Sequence, residues 1–102
     1  MAEDLAAPFS EPKNLAVFSL RSIIYESAPI LHVTHDADDG AWQFLGWEDA
    51  HTEDGVLVSL QHILRLDPTV SALADLPLGW HAFRRSPTAP WTREPNPSNT
   101  TI

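Results

Sequence analysis

The stretch that decides the fold is Ile30-Leu31-His32-Val33-Thr34-His35-Asp36, then Ala37-Asp38-Asp39-Gly40, then Ala41-Trp42-Gln43-Phe44-Leu45-Gly46-Trp47. Two runs rich in β-branched and aromatic residues, which fit a pleated surface, flank a polar link that ends in Asp-Gly. Glycine adopts positive φ without a Cβ clash and aspartate tolerates it, so the link predicts a hairpin turn at Asp39-Gly40. On the returning strand Trp42 and Phe44 share one face and Leu45 and Trp47 lie towards the other, and the Trp42/Phe44 face is expected to meet the core.

Upstream, Leu15-Ala16-Val17-Phe18-Ser19 has strand composition, and Ser19 to Tyr25 suits a helical turn before Pro29 resets the chain. Downstream, Val56-Leu57-Val58 suggests a short buried strand or the approach to a helix. Ser59 is placed to cap a helix over 59–66, since Leu60, Ile63 and Leu64 fall at i, i+3 and i+4. Asp67 caps a second helix, with Pro68 at its first position, where a missing N–H costs nothing, and Val70, Leu73 and Ala74 on its apolar side. Pro77 and Gly79 end it, and Trp80-His81-Ala82-Phe83-Arg84 can return as a last strand.

The whole reads as α+β: a small, mainly antiparallel sheet around the 30–47 hairpin, with two short helices between 59 and 76 packed on one face. Residues 1–13, with Pro8 and Pro12, form an N-terminal arm, mobile or draped on the surface. Residues 14–85 make one globular domain. Residues 86–102 hold four of the nine prolines and form a mostly irregular tail, with Trp91 able to dock part of it on the body.

The formal charge of −8 is unevenly placed. No Lys or Arg lies between Arg21 and Arg65, an interval holding Glu26, Asp36, Asp38, Asp39, Glu48, Asp49, Glu53 and Asp54. The flanks cancel, so this block carries the whole net charge. Such a block repels phosphates and argues against nucleic acid, leaving a basic protein partner, cations or plain solubility. The candidate partner-binding residues are Asp36, Asp38, Asp39, Glu48, Asp49, Glu53 and Asp54, with Trp47 as an apolar anchor. Self-association stays open. The absence of cysteine removes disulfides, thiolate metal sites and cysteine nucleophiles. No apolar run approaches a membrane span, and the acidic Met1-Ala2-Glu3-Asp4 start lacks the positive region of a secretory signal, which points to the cytoplasm.

Chemical constellations are sparse. His32, His35 and the neighbouring acids have the donor types of a zinc, manganese or iron site, yet on a strand the two imidazoles point to opposite faces. A calcium loop fails too: with Asp36 and Asp38 at positions 1 and 3, Gly40 falls where a ligand is needed and Trp47 where a bidentate Glu is needed. No nucleophile elbow, phosphate loop or dinucleotide motif is present. No cofactor is therefore expected. A non-enzymatic, acidic protein-binding or accessory role is favoured, the alternative being a small hydrolase or metal-dependent enzyme built on His32, His35 and the adjacent acids.

Asp38-Asp39-Gly40-Ala41-Trp42-Gln43-Phe44-Leu45, Val58-Ser59-Leu60 through Ile63-Leu64, Asp67-Pro68 and Leu76-Pro77-Leu78-Gly79-Trp80-His81-Ala82 together resemble a family of short uncharacterised bacterial proteins, over residues 15–93. That resemblance implies a bacterial, cytoplasmic single domain and supplies no catalytic residues. The acidic turn and aromatic strand also resemble, distantly, the small acidic domains of bacterial toxin-immunity systems, with Ala41 and Gln43 departing from the commoner motif. This second likeness implies a stoichiometric protein inhibitor.

Overall fold

The computed structural model describes Phe9, residues 11–46 and residues 54–96. Six strands form one sheet: β1 (Ala16–Leu20), β2 (His32–His35), β3 (Trp42–Leu45), β4 (Gly55–Ser59), β5 (Trp80–Phe83) and β6 (Thr92–Pro95). Their order across the sheet is β4-β1-β3-β2-β5-β6, and every neighbouring pair is antiparallel except β1 and β3. The fold is thus α+β with a mainly antiparallel sheet, and the hairpin forms its middle: Val33 pairs with Phe44 and His35 with Trp42. β3 is slotted between β1 and β2, where the buried Ser19 hydroxyl donates to the Phe44 carbonyl at 2.8 Å.

Helix α1 (Arg21–Glu26) follows β1 directly and ends on Ser27 in the left-handed conformation, φ 61°. The Ala28 N–H reaches back to the Ser22 carbonyl at 3.0 Å, closing the end of the helix before Pro29. Helix α2 (Leu60–Leu66) starts as its sequence requires, with the Ser59 side chain accepting from the His62 N–H. Asp67 likewise caps the next segment, Pro68–Leu73, but this winds as a 3₁₀ helix. Its buried Val70 and Leu73 lie three residues apart, one full turn of that tighter spiral.

Both segments cover one face of the sheet, where Leu60, Ile63, Val70 and Leu73 meet Val17, Val33, Trp42, Phe44 and Ala82 in one buried cluster. Trp42 and Phe44 face this core as their alternation predicts, 1% and 0% exposed. β4 corrects a sequence expectation. It is an edge strand, not a buried one, and its central Leu57 is 73% exposed.

The domain also reaches further in both directions than 14–85. Phe9, in the segment expected to be a loose or draped arm, is buried edge-on against Trp42, and the Glu11 carboxylate accepts from the Trp42 indole N–H at 3.1 Å. In the segment expected to be mostly irregular, β6 pairs with β5 over its whole length, from Phe83 opposite Thr92 to Trp80 opposite Pro95. The reason is polar. Arg93 bridges to Asp75 at 2.8 Å and donates to the Ala72 carbonyl, while Trp91 lies under the Arg84 guanidinium, 4.1 Å from ring centre to Cζ.

Candidate functional site

The first candidate is the turn joining β2 to β3. Its backbone is closed by the Asp36 N–H donating to the Ala41 carbonyl at 2.8 Å and the Gly40 N–H to the Asp36 carbonyl at 2.9 Å. Gly40 takes φ 73°, as the Asp-Gly pair predicts. Two acids are built into the turn: Asp39 accepts from the Ala41 N–H at 2.9 Å, and Asp36 from the Gln43 amide at 2.7 Å. Asp36, Asp38 and Asp39 each bring a carboxylate oxygen within 4.8 Å of the other two, with Asp38 and Asp39 exposed. None of the ion pairs between described residues engages them. Three carboxylates this close, with no ion-pair partner among the described residues, create a local negative potential above that of a lone surface acid.

Beside them stands an apolar residue that sequence reasoning passed over. Leu78, 57% exposed, puts its Cδ2 4.0 Å from where a Cβ on Gly40 would stand. The link before β5 is held to the hairpin by the Gly79 N–H donating to the His35 carbonyl at 2.7 Å. A leucine between Pro77 and Gly79 was the available signal, since a large apolar residue inside a turn has no core to enter.

The strand register divides the acids that the sequence groups together. The turn precedes Trp42, which is level with Val17 because Phe18 pairs with Gln43, whereas Asp54 precedes Gly55, which pairs with Leu20. Asp54 therefore lies at the opposite end of the sheet from the turn, at least roughly 10 Å away along the strands. Trp47, Glu48, Asp49 and Glu53 lie outside the described residues.

The histidines are divided as well. His35 points to the core face, stacked on Trp42 at 4.0 Å, and its Nδ1–H donates to the Leu76 carbonyl at 2.8 Å. His32 points to the other face, so the structure brings no ion site together from His32 and His35. Instead His32 Nε2 lies 2.9 Å from Nδ1 of His81, a pairing that crosses from β2 to β5. With the proton on His32 Nε2, His81 Nδ1 accepts and the remaining His81 proton sits on Nε2, facing Glu94 of β6 at 3.9 Å. Burial, reinforced by the neighbouring His81, holds the His32 imidazole below its ordinary value. The Thr34 hydroxyl in the same cross-strand row is buried without a hydrogen-bond partner among the described residues. This is a polar stripe across the sheet face opposite the helix-covered core. The two imidazoles share one hydrogen bond, and among the described residues no group of three metal donors forms around them. No helix among the described residues is long and apolar enough to cross a membrane.

No protein-family model, curated protein or solved structure matches this chain.

Proposed function

We propose that the domain is a non-enzymatic binding module that holds a basic protein partner on the β2–β3 turn. The observation that carries this reading is the convergence of Asp36, Asp38 and Asp39 within 4.8 Å beside exposed Leu78. An interface of this kind combines an apolar anchor with a charged rim: the leucine supplies buried area and the carboxylates steer and orient a cationic surface. In its specific form, suggested by the likeness to acidic immunity-type domains, the partner is a basic toxin held in a stoichiometric inhibitory complex in the cytoplasm.

The test is affinity capture from lysate of the native host, using the parent chain and an Asp38→Asn, Asp39→Asn, Leu78→Ser triple variant. The parent should retain a basic protein, with retention falling as salt rises and screening shortens to about 8 Å at physiological ionic strength. The triple variant should lose it, and an Asp54→Asn control should keep it. Identical capture by parent and triple variant would retire the reading.

A further inference from the structure

The two edges of the sheet are unlike. β6 carries Arg93, Glu94 and Pro95, the charges and the missing N–H by which natural sheets discourage a further strand. β4, Gly-Val-Leu-Val-Ser, has no charge and no proline, and among the described residues it pairs on one side only, with β1. Its central Leu57 is 73% exposed and shares the face opposite the core with half-buried Phe18, its partner on β1.

We infer that two copies of this chain join antiparallel through β4 into a two-fold dimer with one sheet running through both. The register follows from geometry. In an antiparallel pair related by a two-fold axis normal to the sheet, directly opposed residues lie on the same face, so the axis passes through a residue and not between two. Centring it on Leu57 pairs all five residues of the strand. Leu57 then meets Leu57 of the second copy on the face opposite the core, beside both Phe18 rings. On the core face half-buried Val56 meets Val58 of the second copy, extending the apolar layer across the junction.

The ends of the strand are complementary in charge. Exposed Asp54 stands just before β4. Exposed Lys13 lies at the other end, where its carbonyl accepts from the Gln61 N–H at 2.9 Å. Antiparallel pairing sets Asp54 of each copy opposite Leu60 of the other, with Lys13 on the far side of Leu60 and Gln61, two strand spacings or roughly 10 Å away between backbones and within span of the long lysine side chain. A heterologous contact would leave an edge open and polymerise, whereas this isologous one consumes both β4 edges and closes.

The experiment is sedimentation of the full chain over a concentration series at low and high salt, with Leu57→Lys as the variant. The parent should pass from monomer to dimer with rising concentration. Because both copies carry −8, dimerisation should strengthen as salt rises, the reverse of the response expected for a basic partner on the turn. Leu57→Lys opposes two lysines and should weaken association by about tenfold or more. Amide exchange in the parent supplies a readout independent of the variant's folding: β4 amides should slow as concentration rises while those of β6 do not. A monomer at every concentration, a dimer indifferent to Leu57→Lys with unslowed β4 amides, or open-ended polymers would each overturn the inference.

Discussion

Buried Arg84 pairs with half-buried Asp67, Nη2 of the arginine standing 2.7 Å from a carboxylate oxygen of the residue that caps the 3₁₀ helix. The pair is the centre of a wider arrangement. Nε and Nη2 of Arg84 also donate to the Ile30 carbonyl at 3.1 and 2.9 Å, and Nη1 donates to the Thr69 hydroxyl at 3.0 Å and the Pro87 carbonyl at 2.9 Å. All five guanidinium N–H groups are used, which is the condition under which a cation is tolerated inside a small core. Replacing Arg84 with Ala leaves the Ile30 carbonyl and the Asp67 carboxylate short of donors and should cost about 3–5 kcal/mol. Arg84→Lys should recover only part of this, because three donors on a point charge cannot reproduce the planar fork. Denaturant titration of both variants checks the order parent, Lys, Ala.

His32, set against His81, makes stability depend on pH with a definite sign. His32 binds its proton less readily folded than unfolded, since burial and His81 both oppose the charge. The unfolded chain therefore takes up more protons as pH falls through the ordinary imidazole value of 6.5. Stability should be greatest above that value, decline between it and the lowered His32 value, and then level off as far as this group is concerned. His32→Gln, which can still donate to His81 Nδ1, should flatten the decline in a melting series from about pH 7.5 to about pH 5. An equal decline in parent and variant would place the dependence on other groups.

Ser27 is the one described residue other than glycine with a positive φ, 61°. A side chain in the left-handed region costs about 1–2 kcal/mol, while glycine there loses some unfolded-state entropy in return. Ser27→Gly should raise stability by about 0.5–1 kcal/mol, visible as a higher denaturation midpoint with an unchanged slope.

Phe44 is 0% exposed at the middle of the sheet, with its ring stacked 6.1 Å from that of Trp42. Truncation to Ala opens a cavity that neighbours on both flanking strands cannot fill without shifting, and should cost about 3–5 kcal/mol. An unchanged midpoint would mean that this face does not form the core.

The hairpin was legible because its determinants are local. Asp39-Gly40 sets the turn, the turn sets the register, and alternation assigns Trp42 and Phe44 to the core. The caps at Ser59 and Asp67 were legible for the same reason. β6 was not, since Thr92-Arg93-Glu94-Pro95 is exposed throughout and shows no apolar alternation. What places it is the β5 backbone together with Asp75 and Ala72, partners about twenty residues away. The same holds for the chemistry. His81 pairs with a residue 49 positions earlier and Arg84 with one 54 positions earlier, so neither residue type nor spacing announces them. The acids between Arg21 and Arg65 were correctly found to be concentrated in sequence, but the register sends Asp54 and the Asp36–Asp39 turn to opposite ends of the sheet.

The central position of the β2–β3 hairpin has a thermodynamic consequence for anything that docks on its turn. Both strands are flanked, β3 by β1 and β2 by β5, so the turn springs from the interior of the sheet and not from a free ribbon. Its conformational entropy is already spent on folding, and the aspartates bonded to Ala41 and Gln43 need no further ordering on contact. Recognition at this turn would therefore show a small entropic penalty and little change in backbone dynamics, the signature of a preorganised surface.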